Sequence, residues 1–461
     1  MDTQHHNTDE KRTLVAETAS VPGAANQRRL AAVREYAFSY FCSGLIILGS
    51  FLILRLALQE FGEQGFQQFL IVRRFTSALL PVVSLGLGVN LAKLVPRSTK
   101  GDSSLDADRF LAASLQLGAL AIGIYSLVVL LAGEAASQWL IGGPGLTYVL
   151  LCLSAWLLAL VWTTCNAGFS RGLLWNNRAN WVQVVCLVVA PISVLPFVST
   201  LENFLLFGGL MQIALNVVVA CLAMQGSWRT LVTPQVTEGR RLLRAGLPRL
   251  PGEASYYGLL ALPAMLTAQR YGLEKGAEVA YGLVMLTLLM QLVAPANQFV
   301  LAETAYLTQS GNLRRLVSRL TKMLGFAGAV TIAGVVFLWC LAPYLIWFHL
   351  GKSSPELVAA VRMIVPIALP LNVFIALKGV ADAVYRRAIV PHLSAASLVV
   401  FFATYYTLVS AGWSEIAIIT AFYAAIWMLA VTTTFAAGTW LYKELQGLQL
   451  SSAPDSVRRA A

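Results

Sequence analysis

The sequence predicts an all-α integral membrane protein of about 12 transmembrane helices arranged as two six-helix lobes. Three observations carry that prediction. Of the 461 residues, 57% are hydrophobic and 12% are charged, about half the charged share of a soluble globular chain. Apolar stretches recur after position 35, each near the roughly 20 residues that a helix needs to cross the hydrocarbon. The basic residues fall into alternate connections between those stretches, the distribution that sets membrane orientation. Unpaired backbone groups are too costly in lipid, so every stretch must be helical.

Residues 1–35 are polar, mixed in charge and poor in aromatics, which reads as a flexible cytoplasmic tail. Spans are expected near 37–58, 75–95, 110–132, 147–170, 180–199 and 203–225. After a hydrophilic stretch at 226–252 come 253–272, 279–300, 323–347, 357–380, 391–411 and 414–441. The domains are therefore a first lobe at 36–225, a cytoplasmic linker at 226–252, a second lobe at 253–442 and a C-terminal tail at 443–461. Within the linker, Arg240, Leu242, Leu243 and Arg244 form a basic, amphipathic run suited to the anionic face of a bilayer.

With the N-terminus inside, this map places 26 of the 33 lysines and arginines on the cytoplasmic side and 7 on the other, those 7 including Arg55, Arg73, Arg74, Arg270 and Arg362. So strong an asymmetry predicts that both termini are cytoplasmic. A weak internal repeat agrees with two lobes: a shift of 214 positions carries Gly62 onto Gly276 and Pro81 onto Pro295.

Composition also excludes several classes. The basic residues lie between spans rather than along one face, so the net charge of +11 does not indicate nucleic acid. Cys42, Cys152, Cys165, Cys186, Cys221 and Cys340 all sit in apolar stretches without metal-ligand spacing, and the four histidines form no zinc motif. No metal and no cofactor is expected. A membrane-embedded polymerase would carry a large outer loop with catalytic arginines or acids, and an acyltransferase a buried catalytic histidine. The outer connections here are short, so the chain is not expected to be an enzyme.

From Leu54 to Arg97 the chain reads LRLALQEFGEQGFQQFLIVRRFTSALLPVVSLGLGVNLAKLVPR. The segment resembles the opening of the polysaccharide transporter family, which contains O-antigen and exopolysaccharide flippases. That family belongs to the multidrug/oligosaccharidyl-lipid/polysaccharide export superfamily. Arg55, Gly62, Gly65, Leu85, Gly86, Leu87 and Arg97 occupy the matching places. Gly246-Leu247-Pro248 and Lys378-Gly379-Val380 agree in the second half. The resemblance implies an alternating-access fold. Its substrate would be a polyprenyl-pyrophosphate-linked glycan, carried from the cytoplasmic to the outer leaflet. A polysaccharide polymerase or export machinery is a further implied partner, beside the bilayer itself. The alternative within the same superfamily is a multidrug cation antiporter. A peptidoglycan-precursor flippase generally has two further spans.

A diphosphate needs cationic, hydrogen-bonding partners in a low-dielectric cavity. The substrate-binding candidates are therefore Arg55, Arg74, Arg270 and Arg362, with Gln269, Gln291 and Asn297 as groups able to bond sugar hydroxyls. Arginines at span ends also snorkel to the interface, and polar side chains also join helices, so each candidate has a structural alternative. Arg73 and Arg74 point about 100° apart on a helix, so one of the two is expected to face a cavity, with Arg74 favoured. Arg55 and Arg270 are expected as a pair, one per lobe. No acidic residue stands at the centre of an expected span, which favours a positive cavity over the carboxylate-lined site of a cation exporter.

Overall fold

The computed structural model describes residues 22–99, 104–141, 146–224, 228–309, 313–351, 354–384 and 389–452. In the first lobe the helices are α1 (22–61), α2 (63–84), α3 (Leu87–Thr99), α4 (Ser104–Ile141), α5 (Thr147–Gly172), α6 (Asn176–Phe197) and α7 (Leu201–Ala223). The linker contains α8 (Val236–Gly246). The second lobe comprises α9 (Leu250–Tyr271), α10 (Leu273–Gln309), α11 (Leu313–Leu350), α12 (Pro355–Ala381), α13 (Ile389–Ser410) and α14 (Ile416–Ser452).

Ten segments are long and apolar enough to cross a membrane. The first of them, Ala37–Ser84, holds both α1 and α2, and α9 adds another helix of 22 residues. Among the described residues this makes twelve membrane-length helices. Part of the expected N-terminal tail, from Pro22 onward, is helical and opens α1, whereas residues 1–21 lie outside the described part.

The first two helices meet at Gly62, with φ 67° and ψ −173°, and the seventh and eighth spans meet at Gly272, with φ 94° and ψ 164°. Both conformations lie where essentially only glycine is tolerated. The turns are the true equivalents of the repeat, which puts its offset at 210 residues rather than 214. A second break follows at Leu85 and Gly86, both at positive φ, and it ends α2 inside the Leu-Gly-Leu element. The linker helix α8 seats its buried Leu242 and Gly239 against α4, and its Gly246 closes on the Leu85 carbonyl.

The Gly62 turn corrects the expected second span. Helix α2 begins at 63, not 75, because Gln59, Glu60, Glu63, Gln64 and Gln67 lower local hydropathy without interrupting the helix. Part of this polar stretch lines a pocket of about 330 Å³ at the lobe junction, where Glu63 and Gln67 meet Glu274, Glu278 and Glu356. Arg73 and Arg74 thus move from an expected outer loop to the two central positions of α2. At 1.5 Å per residue they lie about 16 Å from either helix end, at the middle of a helix of membrane-spanning length. Likewise the eighth span starts at Leu273, just after its turn, rather than at 279.

Helix α5 is the hub of the first lobe and packs on α3, α4 and α7. Helix α10 serves the second lobe and packs on α9, α11 and α12. The lobes join chiefly where α1 and α2 pack on α9 and α10.

Candidate functional site

A cavity of about 480 Å³ lies between the lobes, within the size range of small-molecule sites. Its first-lobe wall comes from α1, α2, α5, α6 and α7, and its second-lobe wall from α9, α10 and α12. From mid-depth it extends toward the linker end through Tyr256, Tyr257 and Lys378. Toward the turn end, α1 meets α11: Phe51 stacks on His349 at 4.5 Å, and the Arg55 guanidinium lies 5.3 Å from the Phe348 ring centroid.

Both central arginines of α2 line the cavity, which corrects the expectation that one of them would. Their long side chains reach it from adjacent positions on α2. Arg73 donates from Nη2 to Ser50 Oγ on α1 at 3.5 Å, a contact inside the first lobe. Arg74 is 2% exposed and donates from Nη2 to Thr287 Oγ1 on α10 at 3.4 Å, a contact between the lobes. Its Nε is buried with no partner among the described residues.

A third cation, Lys378, also lines the cavity but is balanced by Glu253, 3.2 Å away. No aspartate or glutamate occurs among the lining residues described, so Arg73 and Arg74 are left without a carboxylate partner there. Arginine at mid-bilayer costs about 2.5–3.5 kcal/mol on the insertion scale, so two adjacent, uncompensated ones require a compensating ligand or an aqueous surrounding. Trp156, Phe69, Phe204 and the tyrosine pair supply broad apolar faces around these charges. Gln291, one helical turn beyond Thr287, adds a neutral hydrogen-bonding group on the same wall.

Of the candidates named from sequence, Arg74 and Gln291 therefore line the cavity. Arg55 is held over Phe348 and Arg270 donates from Nη1 to Tyr405 Oη at 2.9 Å; neither lines it. Relative to their glycine turns the two are not equivalent: Arg55 lies seven residues before Gly62 and Arg270 two before Gly272. Arg362 donates from Nε to the Trp339 carbonyl at 3.2 Å and rests 4.8 Å from that ring, against α11, and does not line the cavity. Gln269 is exposed near the end of α9, and the side chain of Asn297 lies outside the described ones. The sequence reading missed Arg73, Lys378 and Thr287. The one signal for Thr287 was its spacing of four from Gln291 within an otherwise apolar run.

The fold is that of transporters of the MOP superfamily. An inward-facing multidrug resistance MATE family transporter of that superfamily aligns with a TM-score of 0.64 at 16% identity, over 90% of this chain and 96% of that one. A MATE in complex with MaL6 aligns with a TM-score of 0.65 at 15% identity, over 89% and 97%. A MOP superfamily transporter from Pyrococcus furiosus, described by a reversed polarity of its binding pocket that suggests a different function, aligns with a TM-score of 0.64 at 14% identity, over 89% and 95%. No protein-family model matches the chain, and no curated protein matches it.

Proposed function

We propose that the chain is an inner-membrane exporter of an anionic, lipid-linked substrate, with a polyprenyl-pyrophosphate-linked glycan as the substrate class. Both termini would face the cytoplasm, and the protein would carry its cargo from the cytoplasmic to the outer leaflet. The observation that carries this reading is the adjacent pair Arg73 and Arg74 at mid-depth in an inter-lobe cavity, with no carboxylate among its described lining residues. At 4 Å and an effective dielectric of 20, each unit-charge contact is worth about 4 kcal/mol. The pair attracts a pyrophosphate by that scale and repels a cationic drug by the same scale. Arginine's planar fork also matches two phosphate oxygens at once. The aromatic wall suits sugar faces or an isoprenoid chain beside the charged centre.

The multidrug cation antiporter is the competing reading, since two of the fold neighbours are described as multidrug resistance transporters. Identity near 15% carries the fold but not the cargo, and pocket charge separates the two readings. The test uses the full-length protein in nanodiscs, titrated with inorganic pyrophosphate and, separately, with tetraphenylphosphonium. Saturable binding of pyrophosphate that weakens with salt, without binding of the cation, is expected. Binding of the cation alone would replace this reading with cation antiport. In cells, deletion of the gene is expected to remove surface polysaccharide and to accumulate polyprenyl-linked intermediates.

A further inference from the structure

We infer that Thr287 is a positioning residue that latches the two lobes through Arg74, and that a phosphate-bearing substrate releases the latch by taking the guanidinium. The inference rests on the anionic-substrate reading and adds to it the step that links binding to movement.

Arg73 and Arg74 are neighbours in sequence but differ in what they hold. Arg73 bonds to Ser50 within its own lobe, whereas Arg74 bonds to Thr287 across the lobe junction. The Thr287 hydroxyl lies 2.7 Å from the Val284 carbonyl and 3.0 Å from that of Leu283, so its proton is engaged by its own helix. What it offers Arg74 is an oxygen lone pair held in a fixed direction. That contact is long, at 3.4 Å, and its acceptor is a neutral hydroxyl oxygen. A charge-assisted bond to phosphate is shorter and roughly twice as strong.

The unpartnered Nε shows where such an anion would sit. Nε and Nη2 form one edge of the guanidinium plane, the edge that engages two oxygens side by side. We place the Thr287 bond on the Nη2 hydrogen of that edge, so that a phosphate satisfying Nε takes the position Thr287 now holds. Substrate binding and the lobe-to-lobe bond therefore compete for one edge of one side chain. Arg73 and Arg74 both stand on α2, so a phosphate held by them stays with the first lobe while the second is freed. An empty transporter stays latched and a loaded one is free to rock.

The experiment reads lobe separation in the full-length protein in nanodiscs. Spin labels are placed at exposed Leu174 and Lys443, one per lobe, with the accessible Cys221 and Cys340 replaced by alanine. Distances are measured with and without inorganic pyrophosphate in wild type, Thr287→Val and Thr287→Ser. Wild type is expected to change its distance distribution on adding pyrophosphate. Thr287→Val, which keeps the shape and loses the acceptor, is expected to show the changed distribution without ligand and to bind pyrophosphate as tightly as wild type or more tightly. Thr287→Ser is expected to behave as wild type. If Thr287→Val keeps the wild-type distribution without ligand, the latch is wrong, whether or not pyrophosphate binds. If its ligand-free distribution changes but pyrophosphate binds to none of the three, the lobe bond stands and the anionic-substrate reading, with the release step built on it, falls.

Discussion

The Asn166 side-chain amide donates to Asn216 Oδ1 at 2.9 Å, joining α5 to α7 inside the first lobe. Asn216 in turn donates to Thr163 Oγ1 at 2.9 Å and to the Gln212 carbonyl at 2.9 Å, and all four residues are buried. Replacing Asn216 would break all of these side-chain bonds at once, while Asn166 keeps its bond to the main-chain carbonyl of position 216 and Thr163 keeps its own to the Ala159 carbonyl. Asn216→Leu is expected to cost about 1–3 kcal/mol, the net worth of two or so intramolecular hydrogen bonds, and to lower the melting temperature of the detergent-solubilised protein. Gln212 differs, because both its side-chain polar atoms are buried without a partner among the described residues. Gln212→Leu is expected to be neutral or stabilising. A loss of stability for Gln212→Leu equal to that for Asn216→Leu would refute this account of the network.

The glycine turns at 62 and 272 give a second stability test. Nothing crowds a Cβ at either position, so any cost of substitution comes from backbone conformation alone. Alanine at either is expected to cost about 1–3 kcal/mol, the range for residues forced into such regions. Gly123, inside helix α4 and also uncrowded, is the control. There alanine gains helix propensity and is expected to stabilise by up to about 1 kcal/mol. Thermal unfolding of the three variants reads the contrast, and equal effects at all three positions would contradict the turn geometry.

Much of this architecture was legible in the sequence, because span length and charge alternation are properties read along the chain. Gly62 was visible between the first two expected spans and is a break between helices, whereas the break at Leu85 and Gly86 falls inside the expected second span and only the backbone angles reveal it. The site was legible in part. Arg74 and Gln291 could be named, but the polar residues from Gln59 to Gln68 hid the start of α2 and so hid the depth of Arg73 and Arg74. Thr287 meets Arg74 across 213 residues of chain, and only packing between lobes brings them together. Arg55 and Arg270 show the converse problem: a charge within an apolar stretch is easily found, but the direction it faces around its helix is set by partners such as Phe348 and Tyr405.

The charge distribution makes a prediction about orientation. Moving Arg73 and Arg74 into the hydrocarbon leaves five of the 33 basic residues on the turn side, which sharpens the asymmetry. Cysteines introduced at Arg240 and Glu274, both exposed, give the direct check in intact cells. A membrane-impermeant maleimide is expected to label position 274 and to leave position 240 unlabelled until the membrane is opened. The reverse pattern would invert the protein and place the linker helix outside.

The arginines themselves supply the last test, because position separates those that line the cavity from those that do not. Arg73 and Arg74 face the inter-lobe space, whereas Arg55 lies over Phe348, Arg270 bonds Tyr405 and Arg362 covers Trp339. Losing one charge-assisted contact to phosphate costs about 1.5–3 kcal/mol, or roughly 10–100-fold in affinity. Arg73→Ala and Arg74→Ala are therefore each expected to weaken pyrophosphate binding by that factor and to abolish polysaccharide export at wild-type protein levels. Arg74→Lys keeps the charge but loses the two-pronged edge, and should retain part of both activities. Arg55→Ala, Arg270→Ala and Arg362→Ala should leave pyrophosphate affinity within about threefold of wild type, well under the 1.4 kcal/mol that a tenfold change requires. Their effects should fall on protein abundance, since each loses an anchor on an aromatic side chain. Full binding in Arg74→Ala combined with lost binding in Arg55→Ala or Arg270→Ala would move the site from the centre of α2 to the turn end of the molecule.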